Sequence, residues 1–343
     1  VKYRLLGNTG VYVSEISLGT MTFGGSGHPI WGGLGALALP DAQRLVDTAL
    51  DAGVNFVDTA DTYSEGESEE LLGQALGKRR RDVVLATKAH ARTGPGPNDV
   101  GTSRLHTMQA LEDSLRRLRT DHIDLYQIHN FDQVTPMEET LRALDDAVRQ
   151  GKVRYIGCAN FAAWQISKAL GISAREKLAG FVSVQSYYSL LGRDVERDVV
   201  PMALDEGVGL TVWSPLAGGF LSGKVGRDSA VADSGSRSAQ PGFTNFPPVD
   251  RERGFDVVDV LKGVAERHEV SPARVAVAWL LARPAVTSVI VGARKQEQLV
   301  DNIAATDLTL TAQDLAELDE ISKLPVAYPN WIQEAFAGVR YPQ

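Results

Sequence analysis

The sequence is short of cysteine: Cys158 is the only one among 343 residues. No disulfide can form within the chain, which fits a reducing compartment. Long apolar runs are also missing. A stretch such as Val275–Ala282 falls far below the ~20 residues that a membrane-spanning helix requires. The first residues, Val1-Lys2-Tyr3-Arg4, open no apolar signal core, so a cytoplasmic protein is expected. Positive charge is in deficit, with 35 lysines and arginines against 43 acidic residues and a net charge of -8. Nucleic acid and anionic membrane both select basic surfaces, so neither is expected as a partner. Neither His-Glu-x-x-His nor Cys-x-x-Cys occurs, and no metal is expected. A P-loop and a complete Gly-x-Ser-x-Gly elbow are absent too. Cys158 sits in an apolar strand end and reads as packing rather than as a nucleophile.

What is present is an alternation. A hairpin comes first: Arg4-Leu5-Leu6 and Val11-Tyr12-Val13 flank the turn formers Gly7-Asn8-Thr9-Gly10. Eight short apolar runs follow: Ile16–Gly19, Asn55–Asp58, Val83–Thr87, Ile123–Ile128, Val153–Gly157, Phe181–Gln185, Gly209–Trp213 and Ser288–Val291. Most are nearly all apolar rather than alternating, as parallel strands covered on both faces should be. Helical patterns lie between them. Leu105, Met108, Leu111, Leu115 and Leu118 step by three or four, as do Met137, Leu141, Leu144 and Val148. Pro40 and Pro272 suit a first helical turn, Ser271 suits a cap, and Gly53, Gly77 and Gly151 suit helix stops. Further helices are expected at 255–268 and 311–323, and long loops at 24–39, 89–102 and 217–251.

Strand and helix repeated eight times give a closed barrel or a doubly wound sheet. Gly33-Leu34-Gly35-Ala36-Leu37-Ala38 fits the dinucleotide fingerprint of the second fold, with Asp58 about 20 residues further on. Its context fails, because Pro29 and Trp31 separate it from the preceding strand and Pro40 follows at once. A barrel carries function on the loops after its strands. Polar residues gather there: Asp58, Lys88 and His129 end the second, third and fourth runs, and Asn160, Gln185, Ser214 and Arg294 follow at later ones. The expected fold is an α/β, (β/α)₈ barrel in one domain over residues 1–343.

Tyr63 lies five residues after Asp58, on the rim of the same strand. A phenol ionises near pH ~10, and a neighbouring ammonium favours its anion. Lys88 is placed to be that cation, Asp58 to hold it charged, and His129 to orient a substrate oxygen. Taken singly, each has an ordinary reading: a local cap or pair for Asp58, a loop aromatic for Tyr63, a solvated charge for Lys88, a core histidine for His129. Together, at three consecutive strand ends, they make a polarised proton donor beside a carbonyl site.

These residues stand in segments that resemble the aldo-keto reductase family. The segments include Leu18-Gly19-Thr20-Met21, Asp58-Thr59-Ala60-Asp61-Thr62-Tyr63, Thr87-Lys88, Asp124-Leu125-Tyr126-Gln127-Ile128-His129, Gly157-Cys158-Ala159-Asn160-Phe161, Ser214-Pro215-Leu216 and Val291-Gly292-Ala293-Arg294. The resemblance covers nearly the whole chain. It implies a catalytic tetrad of Asp58, Tyr63, Lys88 and His129, with Tyr63 the proton donor. It also implies an extended nicotinamide dinucleotide across the barrel mouth. Gly19, Thr20 and Met21 would line it, Asn160 and Gln185 would bind the carboxamide, and Trp213 would stack on the ring. Ser214, Pro215, Leu216 and Gly218 would meet the pyrophosphate, and Gly292, Arg294, Gln298 and Asn302 the adenosine. Arg294, with Lys295 beside it, suits a 2′-phosphate and favours NADPH over NADH; both also read as solvated charges. Cys158 departs from a frequent serine, and Asp301 from a usual glutamate.

Phe23, Trp31, Phe131 and Trp331 are expected to bind the substrate, with the 217–251 loop and the tail residues Tyr328, Phe336 and Tyr341. The aromatic tail reads equally as a barrel cap or a subunit contact. The resemblance implies a small-molecule carbonyl substrate as the partner, and similarity to reductases of bulky ketones suggests a ring-bearing one. Two other readings stand beside this. Some proteins of this fold act as redox-sensing channel subunits, which an inactivation segment ahead of the hairpin would mark; none is expected here. A barrel lyase would use Lys88 as a Schiff-base amine, which must be neutral, whereas Asp58 would keep it charged.

Overall fold

The computed structural model describes residues 1–227 and 246–340. Strands β1 (Tyr3–Leu5) and β2 (Tyr12–Ser14) pair antiparallel as the expected hairpin. Each of the eight apolar runs then forms a strand: β3 (Ile16–Gly19), β4 (Phe56–Asp58), β5 (Val84–Ala89), β6 (Ile123–Ile128), β7 (Val153–Ala159), β8 (Phe181–Tyr187), β9 (Gly209–Trp213) and β10 (Val286–Val291). They pair in sequence order, all parallel, and β10 closes onto β3. The Gly33–Ala38 segment is therefore no dinucleotide turn. It follows a short 3-10 turn at Trp31–Gly33, and its helix begins only at Leu39. β7 and β8 run two residues beyond the apolar pattern because the ladder continues, pairing Ala159 with Gln185 and Tyr187 with Trp213. Inside a barrel, polar strand residues find partners on their neighbours, so a polar residue does not end the strand.

Helices α1 (Leu39–Asp51), α2 (Glu67–Leu76), α3 (Arg104–Leu118), α4 (Met137–Arg149), α5 (Ala163–Glu176) and α6 (Val199–Glu206) each connect one barrel strand to the next. α7 (Arg251–Arg267) and α8 (Pro272–Leu281) lie between β9 and β10; α9 (Gln296–Ile303), α10 (Ala312–Ser322) and α11 (Asn330–Ala337) follow. Capping follows the local chemistry. The Ser103 side chain accepts from His106 N at the start of α3, and Ser271 accepts from Arg274 N at α8. α7 starts at Arg251 rather than near Phe255, because the Asp250 side chain caps it by accepting from Arg253 N. No helix among the described residues is long and apolar enough to cross a membrane.

The main core lies between barrel and helices. A smaller one, of Leu6, Val13, Phe56, Ala86 and Leu125, fills the barrel where the hairpin closes its N-terminal end. Leu6 is fully buried there. Leu6→Ala is expected to cost about 2–5 kcal/mol, the range for a truncated core leucine, and denaturant unfolding measures it. With that end sealed, the open end is the one the strand C-termini face.

Candidate active site

Period two along each strand turns Asp58, Lys88, Gln127 and Gln185 toward the barrel interior, near its open end. Lys88 pairs in register with Gln127 on β6. Its side chain is fully buried, and Nζ donates to Asp58 Oδ1 at 2.5 Å and to Thr59 O at 2.8 Å. The same Nζ lies 3.4 Å from the Tyr63 hydroxyl. Asp58 Oδ2 accepts from Gln185 Nε2 at 2.9 Å and from Gln127 Nε2 at 3.3 Å. The His129 ring stands edge-on to the Tyr63 ring, with centroids 5.9 Å apart.

Burial by itself would lower the affinity of Lys88 for its proton. The Asp58 carboxylate, the Tyr63 hydroxyl and their hydrogen bonds outweigh it, and Lys88 lies above the usual lysine range. It is an ammonium at neutral pH, which is the wrong form for a Schiff-base nucleophile. Burial of the His129 ring, then the Lys88 charge and then His90, hold His129 well below the usual imidazole range. The ring is neutral at pH 7, and its Nδ1 has no hydrogen-bond partner among the described residues. Burial raises the thiol of Cys158 well above its ordinary range, as a packing role requires.

A cavity of about 740 Å³ opens over this cluster. Asp58, Tyr63 and His129 reach it. So do Gly19, Thr20, Met21, Asn160, Gln185, Trp213, Ser214, Pro215, Leu216, Gly218, Gly292, Arg294, Gln298 and Asn302, the residues singled out for a dinucleotide. Asn160 Nδ2 donates to His129 O at 3.0 Å, and Trp213 Nε1 donates to Asn160 Oδ1 at 2.9 Å. After Trp213 the backbone turns left-handed at Ser214, Ala217, Gly218 and Gly219, with φ of 53°, 48°, 68° and 99°. Gln298 Oε1 accepts from the backbone N–H of Arg294 and of Lys295, folding the end of the β10 loop onto α9.

Of the four residues expected to bind substrate, only Trp31 lines this cavity, its ring 6.1 Å from that of Tyr63. Phe23 is fully buried in the core, where the 22–37 turn folds back on itself. Phe131 packs edge-on against Phe161 and Trp164, outside the cavity. Trp331 lies on α11, which buries none of its residues, and is exposed with Tyr328 and Phe336. Tyr341 lies outside the described residues, as do 228–245 of the long loop. Residue type marks an aromatic as a wall candidate; only packing shows which way it faces.

Sequence reasoning passed over Gln127, Lys224 and Phe246. Lys224 lines the cavity, and Phe246 does so with its ring stacked on Trp213, centroids 5.7 Å apart and planes at 14°. Gln127 carried a readable signal, a lone amide in the apolar strand Ile123–Ile128. Lys224 and Phe246 lie in a loop, where no periodicity points to a face.

The profile of the Aldo/keto reductase family matches residues 15–323. The chain is 40% identical to "Uncharacterized oxidoreductase YrpG" of Bacillus subtilis (strain 168), over 94% of this chain and 96% of that protein. It is 39% identical to a "Probable voltage-gated potassium channel subunit beta" of Oryza sativa subsp. japonica, over 90% and 92% of the two chains. It is 35% identical to the "Versiconal hemiacetal acetate reductase" of Aspergillus parasiticus, over 93% and 96%. A closed parallel barrel, polar groups converging at its open end and these matches over nearly the whole length together place the chain: it belongs to the aldo/keto reductase family of oxidoreductases.

Proposed function

We propose that the protein reduces an aldehyde or ketone to an alcohol with NADPH, and that Tyr63 gives the proton. The observation that carries this is the line Asp58–Lys88–Tyr63, a buried ammonium held by a carboxylate at 2.5 Å and facing a phenol oxygen at 3.4 Å. Bound in the cavity, the reduced nicotinamide supplies the hydride. The chain's residues do the rest. Tyr63 protonates the carbonyl oxygen, and the Lys88 charge stabilises the phenolate left behind. Asp58 keeps Lys88 charged despite its burial. His129, neutral and beside Tyr63, offers one N–H to the same oxygen. In the oxidative direction Tyr63 takes the proton back.

The cavity lining fits the cofactor's chemistry. Trp213 offers an aromatic plane, Asn160 and Gln185 offer amides for a carboxamide, and the left-handed backbone after Trp213 suits close approach of phosphates. Lys224, Arg294 and Lys295 bring cations to the lining. That charge supports NADPH over NADH. Arg294→Ala is expected to raise the KM for NADPH at least tenfold, about the effect of one charge-assisted hydrogen bond, and to leave that for NADH within a few-fold. Parallel titrations with the two cofactors measure it. Trp31, 6.1 Å from the Tyr63 ring by centroids, puts an aromatic wall beside the proposed proton donor, which supports a ring-bearing carbonyl substrate.

The test follows NADPH absorbance with an activated aromatic aldehyde, a panel of ring ketones and short aliphatic aldehydes. Turnover establishes the reaction, and preference for the short aldehydes overturns the ring-bearing substrate. The likeness to a channel subunit supports a second reading, a nicotinamide-binding sensor, which predicts tight NADPH binding with no turnover on any of these carbonyls.

A further inference from the structure

We infer that Gln127 is a positioning residue for Asp58, and that the pH below which the proton-donor apparatus fails depends on it. The inference rests on the reading of Asp58, Lys88 and Tyr63 given above. Asp58 shows the geometry of a carboxylate fixed from both sides. One oxygen is committed to Lys88, and the other accepts two amide N–H groups, from Gln127 and Gln185. Gln185 faces the cavity, so a ligand there competes for its amide; Gln127 does not line the cavity and is fully buried. It is the donor whose hold on Asp58 a bound cofactor leaves alone.

Two further observations separate this from simple packing. Gln127 Oε1 is buried without a hydrogen-bond partner among the described residues. Burying an amide with its acceptor unmatched costs stability, and an apolar residue of that size would fill the space without the cost. The amide's one described side-chain hydrogen bond is the one to Asp58. The neighbouring strand makes room for it. A Cβ on Gly157 would lie 3.3 Å from Gln127 Cγ and 2.7 Å from Ser183 Oγ, so the glycine leaves the space along which the side chain reaches Asp58.

A carboxylate that loses a donor to its charged form takes up a proton more readily. Gln127→Met is therefore expected to move the protonation of Asp58 to higher pH by about one unit. Gln127→Glu keeps the shape but sets a second carboxyl beside the first; two such groups cannot both ionise cheaply, so the pair takes up its first proton at higher pH still, whichever carboxyl carries it. The experiment titrates the aspartate and glutamate side-chain carboxyl resonances of ¹³C-labelled protein, the glutamate of Gln127→Glu being assigned by its appearance and the midpoint in that variant being the pair's upper one. Asp58 is assigned by its loss in Asp58→Asn, and kcat for NADPH-dependent reduction is followed over the same pH range. The expected order of midpoints is wild type, then Gln127→Met, then Gln127→Glu, with the acid limb of kcat moving in step and NADPH affinity unchanged within twofold. Midpoints in both variants that coincide with wild type overturn the inference, as does a loss of kcat that tracks NADPH affinity or folded fraction with the limb unmoved. Gln127→Glu, being nearly isosteric, decides the matter if Gln127→Met does not fold. Because the carboxyl titration needs no turnover, variants that shift as expected in a protein whose wild type reduces nothing refute the reductase reading and leave the positioning of Asp58 standing.

Discussion

Tyr63→Phe is expected to lower kcat for carbonyl reduction by about 10²–10⁴-fold, the usual contribution of a positioned acid, while NADPH still binds. The phenylalanine ring keeps the contacts that the tyrosine ring makes with Trp31 and His129, at centroid distances of 6.1 and 5.9 Å. Only the hydroxyl is lost, and with it the atom that Lys88 faces at 3.4 Å. His129 is held neutral by burial and by Lys88, so it has no spare proton to give in its place. Steady-state rates with an activated aldehyde, beside NADPH binding followed by fluorescence, make the measurement. Retention of most of the wild-type kcat would remove Tyr63 from the chemistry. Loss of binding together with kcat would make it a structural residue of the cavity wall.

Lys88→Met carries the largest expected cost in stability. Asp58 is nearly as buried as Lys88, at 2% exposure, and would lose the cation 2.5 Å from its Oδ1. Breaking one half of a buried ion pair typically costs about 3–5 kcal/mol, because the remaining charge stays uncompensated. The sign with pH follows. In the wild type, the folded-state affinity of Lys88 for its proton lies above the ordinary lysine value of 10.5, so the pair's stabilisation is full below that pH and is lost as pH rises through the folded value. Denaturant unfolding at pH 7 measures the cost, and removing the uncompensated charge distinguishes it from a packing defect, which that removal would not relieve. The double variant with Asp58→Asn should recover much of the stability at pH 7 and none of the activity.

Much of this is legible in the sequence. The eight strands stood out because strands covered on both faces carry continuous apolar runs, and that is a local property of the chain. Their polar ends stood out for the converse reason, since a barrel strand carries a lysine or an aspartate only where something compensates it. Which aromatic side chains line the cavity was not legible. Phe23, Phe131 and Trp331 have the right chemistry, yet one is core, one packs against neighbouring aromatics and one sits on an exposed helix. Which way an aromatic faces depends on what packs beneath it, and no local pattern in a loop encodes that. The start of α7 was misplaced for a related reason: the Asp250 cap and the first helical turn precede the apolar positions that reveal the helix.

By itself, the sequence determined the architecture and the order in which chemically useful residues reach the open end of the barrel, because periodicity and polarity are written residue by residue. Tertiary structure alone decided how they meet. Lys88 lies 30 residues from Asp58 in the chain, Gln127 lies 69 and Gln185 lies 127, and all three converge on one carboxylate. That convergence comes from closing a parallel ladder on itself, which turns similar depths on different strands into neighbours.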